Sequence, residues 1–182
     1  MIHSLKDLRY YMQEDARANN MGNPLKEWIT QNDNYQPRAL LRKLRKVEYY
    51  SNNRSILLFI PYLWNLWHFK RLRIKTNIMI FPNTIGPGLN IEHPGFRRIG
   101  RFVKIGAHCT ILPMVLFGRK HPDDANSDII VGDNCYISTG VTILGPVRIG
   151  NNVTIGAGAV VNKDIPDNAI VGGVPAKILQ YK

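Results

Sequence analysis

The sequence predicts a mainly β protein, a parallel β-helix of about four coils behind an α-helical N-terminal segment. Three observations predict it: aliphatic residues recurring every six positions through the second half, small residues that follow them, and helical apolar spacing confined to the first third. From position 79 the aliphatics run Met79, Ile85 and Ile91, then Ile99, Ile105 and Ile111 after a step of eight. A gap of 20 leads to Val131, and the sixfold count resumes through Ile137, Ile143, Ile149, Ile155 and Val161. A β-sandwich would show longer and more variable spacing.

Each hexad has an internal logic. The residue after the aliphatic is usually small (Gly86, Gly100, Gly106, Gly132, Ser138, Gly150, Gly156), which suits a corner. Four places after it stands another modest apolar side chain, such as Leu89, Val103, Val115, Val141, Val147 or Val153. A strand alternates its faces, so this residue and the next aliphatic point the same way. Three such strands close a triangular coil of 18 residues. Cys109 and Cys135 fall on the same inward position and read as core. Two cysteines make no disulfide framework.

The first third reads differently. Residues 4–20 carry Leu5, Leu8, Tyr11 and Met12 on a helical stripe, and Met21-Gly22-Asn23-Pro24 ends it. Residues 37–50 suit a second helix. Residues 55–73, SILLFIPYLWNLWHFKRLR, are apolar and then basic, with a break or kink allowed at Pro61. The division is therefore 1–75 for the helical segment and 76–182 for the β-helix, with a loop insertion at 112–130.

The chain has 182 residues and a formal charge of +11. Residues 38–75 hold ten basic side chains (Arg38, Arg42, Lys43, Arg45, Lys46, Arg54, Lys70, Arg71, Arg73, Lys75) against Glu48 alone. That block invites an anionic partner or forms a solvated helical face, and the apolar-then-basic stretch 55–75 suits packing against the coil or a sister subunit, with peripheral contact with an anionic membrane as the other reading. No apolar run is long enough to span a bilayer. The aromatics of an RNA-binding module are absent, so no nucleic acid is expected. The charged N-terminus has no apolar signal core, which makes the cytoplasm, with contact at the inner membrane face, the expected location.

In a regular solenoid, chemistry must come from corners, insertions and grooves between subunits. His93, in Ile91-Glu92-His93-Pro94-Gly95, sits at the first irregularity, and His121, in Arg119-Lys120-His121-Pro122, sits in the long excursion. An imidazole can take the proton of an attacking hydroxyl and return it to a leaving group.

GPGLNIEHPG (86–95), the later hexads and IVGGVPAKIL (170–179) resemble the hexapeptide-repeat acyltransferases, serine acetyltransferase and its polysaccharide-modifying relatives. The upstream segments DLRYYMQEDARAN (7–19) and LRKLRKVEYY (41–50) resemble the capsular polysaccharide O-acetyltransferase branch more closely. The resemblance implies left-handed coils, a homotrimer with sites between subunits, and acetyl-CoA as acyl donor. It implies His93 as general base, with His121 and Glu92 in the catalytic site. Thr139, Gly140, Ala157 and Gly158 match positions that bind the pantetheine arm, and Lys163 and Lys177 are placed for the nucleotide end.

The aspartate that orients the base in serine acetyltransferases corresponds by spacing to Ile78. The expected reaction is therefore acetyl transfer to a small-molecule or glycan hydroxyl in capsular or exopolysaccharide synthesis, with serine O-acetylation as the alternative. The γ-type carbonic anhydrases use the same coil with a zinc site, but the spacings of His93, His108 and His121 lack that family's close histidine pair, so no metal is expected.

Overall fold

A computed structural model describes residues 1–30, 33–53, 55–124 and 126–182. Arg54 of the basic block lies outside them. Four helices come first: α1 (Leu5–Ala18), α2 (Pro24–Thr30), α3 (Tyr35–Asn52) and α4 (Phe59–Thr76), with a 3₁₀ turn at Ile56–Leu58 before α4. A capping box starts α1: the Ser4 hydroxyl accepts from the Asp7 N–H, while the Asp7 carboxylate accepts from the Ser4 N–H. Pro61 does not break α4. It lies in the first turn, where its missing N–H has no partner to lose.

The remaining chain winds through three faces, first to second to third. Coil one holds β1 (Ile78–Ile80) and reaches the other faces through single bridges at Ile85 and Asn90. Coil two is β2 (Arg97–Ile99), β3 (Val103–Ile105) and β4 (Thr110–Ile111). Coil three is β5 (Val115–Arg119), β6 (Ile129–Val131) and β7 (Tyr136–Ile137). Coil four is β8 (Thr142–Gly145), β9 (Val147–Ile149) and β10 (Thr154–Ile155). Coil five is β11 (Val160–Val161), a bridge at Ile165, and β12 (Ala169–Gly172). The first face stacks β1-β2-β5-β8-β11 in parallel, the second β3-β6-β9, and the third β4-β7-β10-β12. β13 (Lys177–Tyr181) turns back and adds antiparallel to β12.

Five coils form where about four were expected. The insertion is also shorter than 112–130. Phe117, six after Ile111, is fully buried on β5 and continues the repeat, and Ile129 is already inside β6. The true excursion is 120–128. The first rung shifts as well: Ile78 and Ile80 point inward while Met79 is half-buried, because Ile80, not Met79, pairs with Ile99. The other expected rungs and both cysteines are buried. The cysteine thiols donate to carbonyls of neighbouring coils, Cys109 to Gly132 (3.3 Å) and Cys135 to Gly150 (3.1 Å).

Gly86, Gly106, Gly132 and Gly150 stack on one corner at negative φ, so conformational freedom does not explain them. A Cβ at Gly86 would lie 2.7 Å from the Gly106 backbone, and one at Gly106 2.7 Å from Gly132. Close approach between coils requires glycine there. The left-handed turn falls two residues later, at Gly88, His108, Asn134, Asn152 and Asn168.

The helices cap the open end of coil one with apolar residues of α3 and α4 (Leu40, Leu41, Leu44, Val47, Phe69), which join its core, and with polar side chains that meet its backbone. Leu5 is exposed, and the α1 side chains that bond the backbone of coil one are Asp15 and the C-cap Asn19, while Glu14 faces His108 of coil two (4.0 Å). Asp15 accepts from the N–H groups of Gly88 (2.9 Å) and Leu89 (3.1 Å). Asn19 accepts from Ile91 N–H (2.9 Å) and donates to Leu89 C=O (2.7 Å). From α3, Arg45 donates to the carbonyls of Ile85 (2.9 Å) and Gly86 (2.6 Å), and Glu48 accepts from Asn83 N–H (2.8 Å). A parallel coil otherwise ends in unpaired backbone groups, and these four side chains satisfy them.

Candidate active site

Three histidines occupy three different edges of the prism. His93 lies between the third and first faces, His121 between the first and second, and His108 between the second and third. Among the described residues no group of three or more His, Cys, Asp or Glu side chains is placed to share a metal ion.

His93 is exposed and adopts a left-handed φ of 60°. Its N–H donates to the Asn34 side-chain oxygen (3.2 Å) just before α3. The loop is held from inside by Arg97. That side chain sits at an inward position of β2 and donates to the carbonyls of Ile111 (2.8 Å), Gly95 (3.2 Å) and Glu92. Burial pulls the Arg97 pKa down to about 10. Ile78, which replaces the orienting aspartate of the resemblance, is fully buried in β1. Asn34 and Arg97 therefore fix the backbone around His93, and neither was picked out as functional in the sequence. The signal for Arg97 was available: it stands two residues before Ile99, where the repeat calls for an apolar side chain.

Glu92 stands beside His93 and accepts from the Asn90 amide (3.1 Å). Asn19, Asn20, Asn34, Arg38, Glu92 and His93 border a pocket of about 220 Å³. Arg38 crosses it from α3, held by Glu27 (3.0 Å) and the Asn19 carbonyl (2.6 Å).

The same edge continues away from the helices. Met114 N–H bonds Phe96 C=O (2.7 Å), Gly140 N–H bonds Pro113 C=O (3.1 Å), and Gly158 N–H bonds Thr139 C=O (2.9 Å). Thr139, Gly140, Ala157 and Gly158 thus form an exposed column in line with His93, and Lys177 begins β13 just past its far end. At about 4.8 Å per coil the strip from His93 to Gly158 is roughly 14 Å long. That suits an extended chain rather than a compact ligand.

His121 and Lys163 lie elsewhere. Both are exposed on the first–second edge, His121 in a turn where its N–H donates to Asp124 (2.9 Å), and Lys163 between β11 and Ile165. The structure thus brings His93, Glu92, Thr139, Gly140, Ala157, Gly158 and Lys177 to one edge of the chain. It leaves His121 and Lys163 on the other edge of the same face.

Residues 128–163 match the family described as bacterial transferase hexapeptide (six repeats). Over 108 residues, 59% of this chain, it is 36% identical to serine acetyltransferase of Mycobacterium tuberculosis and covers 47% of that protein. Over the same length it is 32% identical to the serine acetyltransferase of Synechococcus elongatus, covering 44% of it. The chain spans about half the length of these curated relatives. Among solved structures it is similar to soybean serine acetyltransferase complexed with serine, with a TM-score of 0.73 and 25% identity over 96% of this chain and 70% of that one. These findings overturn the expected acceptor in capsular or exopolysaccharide synthesis: the matching relatives are serine acetyltransferases, which favours the serine alternative. Residues 128–163 carry the bacterial transferase hexapeptide repeat, and the chain shares its fold with the solved serine acetyltransferases, a left-handed parallel β-helix behind a helical segment.

Proposed function

We propose that this chain is a serine O-acetyltransferase that uses acetyl-CoA and works through sites shared between copies of a homotrimer. The observation that carries the reading is the alignment of His93 with the Thr139–Gly158 column on one edge, in a chain whose relatives are serine acetyltransferases. An extended acyl donor lies along that column with its thioester beside His93. Lys177, and Lys163 of a neighbouring copy, meet its anionic nucleotide end.

His93 takes the proton of the serine hydroxyl as the oxygen attacks the thioester carbon. The tetrahedral adduct collapses, the carbon–sulfur bond breaks, and the imidazolium returns the proton to the CoA thiolate. O-acetylserine and CoA are the products, and no covalent enzyme intermediate is needed. The Glu92 carboxylate suits the ammonium group of serine.

A threefold axis parallel to the coils sets the first–second edge of one copy beside the third–first edge of the next. His121 and Lys163 then complete a site whose other half holds His93. The column is open to solvent in a single chain, which supports a second wall from a neighbour.

The test is CoA-thiol release with acetyl-CoA in the presence and absence of L-serine. Release should depend on serine and fall roughly 10²–10⁴-fold in His93→Ala. Release that ignores serine would end the reading.

A further inference from the structure

The turn leading into α4 and one side of α4 itself are apolar and uncovered. Ile56 is 90% exposed, Leu57 84% and Ile60 78%, and Trp64, Trp67 and Ile74 are also exposed. Positions 60, 63, 64, 67, 71 and 74 share one sector of the helix. Asn65, Phe69 and Thr76 pack inward on the opposite side. Lys70, Arg71 and Lys75 emerge exposed within and beside the apolar sector, and the Arg71 guanidinium lies 5.2 Å from the Trp67 ring centre. Between Glu48 and Glu92 the sequence contains no Asp or Glu. Glu48 itself is committed to Arg45 (3.0 Å).

We propose that this face docks on an anionic phospholipid surface, with α4 lying in the plane of the headgroups. Its composition matches that partner on both counts. Large apolar and tryptophan side chains seat in the headgroup–acyl boundary, and the cations meet anionic headgroups. No described helix is long and apolar enough to cross a membrane, so the contact is lateral. A second copy is the poorer occupant: an isologous pairing would bury Lys70, Arg71 and Lys75 in an apolar contact whose matching surface, being the same face, offers them no carboxylate. The contact does not depend on the identity of the acetyl acceptor.

The test is flotation of the full chain with vesicles of phosphatidylcholine alone or with roughly 30% phosphatidylglycerol. Binding should require the anionic lipid and weaken as salt rises. Lys70→Glu/Arg71→Glu/Lys75→Glu should lower partitioning roughly a hundredfold or more. Trp64→Ser/Trp67→Ser should also lose binding while keeping its circular dichroism and Tm. Brominated lipids should quench the wild-type fluorescence, and that quenching should vanish in Trp64→Phe/Trp67→Phe, where only the Trp28 indole remains. Three results would overturn the proposal: no flotation at low salt, equal flotation of the charge-reversed chain, or a lipid-free particle of two trimers that the Trp64→Ser/Trp67→Ser change halves. The last would make the face a contact between copies.

Discussion

His93 owes its place to Arg97. The guanidinium spans the loop from inside, tying Glu92, Gly95 and Ile111 by their carbonyls, at the cost of burying a charge. Arg97→Met fills similar volume but leaves those carbonyls without donors. Urea unfolding should show a loss of about 1–3 kcal/mol per orphaned group that water cannot reach. Turnover should fall more than KM changes, because the His93 backbone is what moves. A change in KM alone would return Arg97 to a purely structural part. At this scale the repeat was legible wherever the inward residue was aliphatic. Phe117 does not register in an aliphatic count because an aromatic fills the slot. Met79 and Ile80 are both apolar, and only the pairing with Ile99 decides which turns inward. Glycine columns carry a second residue-scale prediction. Gly132→Ala would place a Cβ 2.8 Å from the Gly150 backbone, and the thermal midpoint should drop by the equivalent of about 1–3 kcal/mol.

The elements that close the first coil pack apolar residues of α3 and α4 into its core, but their alignment on it rests also on polar chemistry that apolar periodicity does not register. The stripe Leu5, Leu8, Tyr11 and Met12 marks α1 correctly as a helix, yet the residues of this region that bond the backbone of coil one are Asp15 and Asn19. A coil end needs donors and acceptors as well as apolar cover. Arg45 joins the network, bonded to Asp15 (2.7 Å), Glu48 (3.0 Å) and two carbonyls of coil one. Burial works against its charge, but the Asp15 and Glu48 carboxylates more than offset this, and its pKa is raised. Arg45→Met strands two buried carboxylates and should cost about 3–5 kcal/mol in denaturant unfolding. Asp15→Asn, which keeps one acceptor for the Gly88 and Leu89 N–H groups, should cost less. If both substitutions proved neutral, the helical cap would be a passenger on the coil.

At the scale of the whole molecule, one face separates the two edges that the proposed trimer would join into one site. His93 with its column bounds one side of the first face, and His121 with Lys163 bounds the other. Each histidine was visible in the sequence as a break in a regular repeat. Their separation was not, since a period of six says which residues turn inward but not which edge an insertion leaves from until every rung, Phe117 included, is counted. The split makes a sharp expectation for mixed assemblies. In the proposed homotrimer, His93→Ala should abolish activity and His121→Ala should impair it. Unfolded together in equal amounts and refolded, they form mixed trimers in which some sites take intact His93 from one chain and intact His121 from its neighbour. Random mixing makes about a quarter of all sites whole, so serine-dependent CoA release should recover to about that fraction of wild type. A site built within one chain gives no such recovery, because every chain in the mixture carries one of the two lesions.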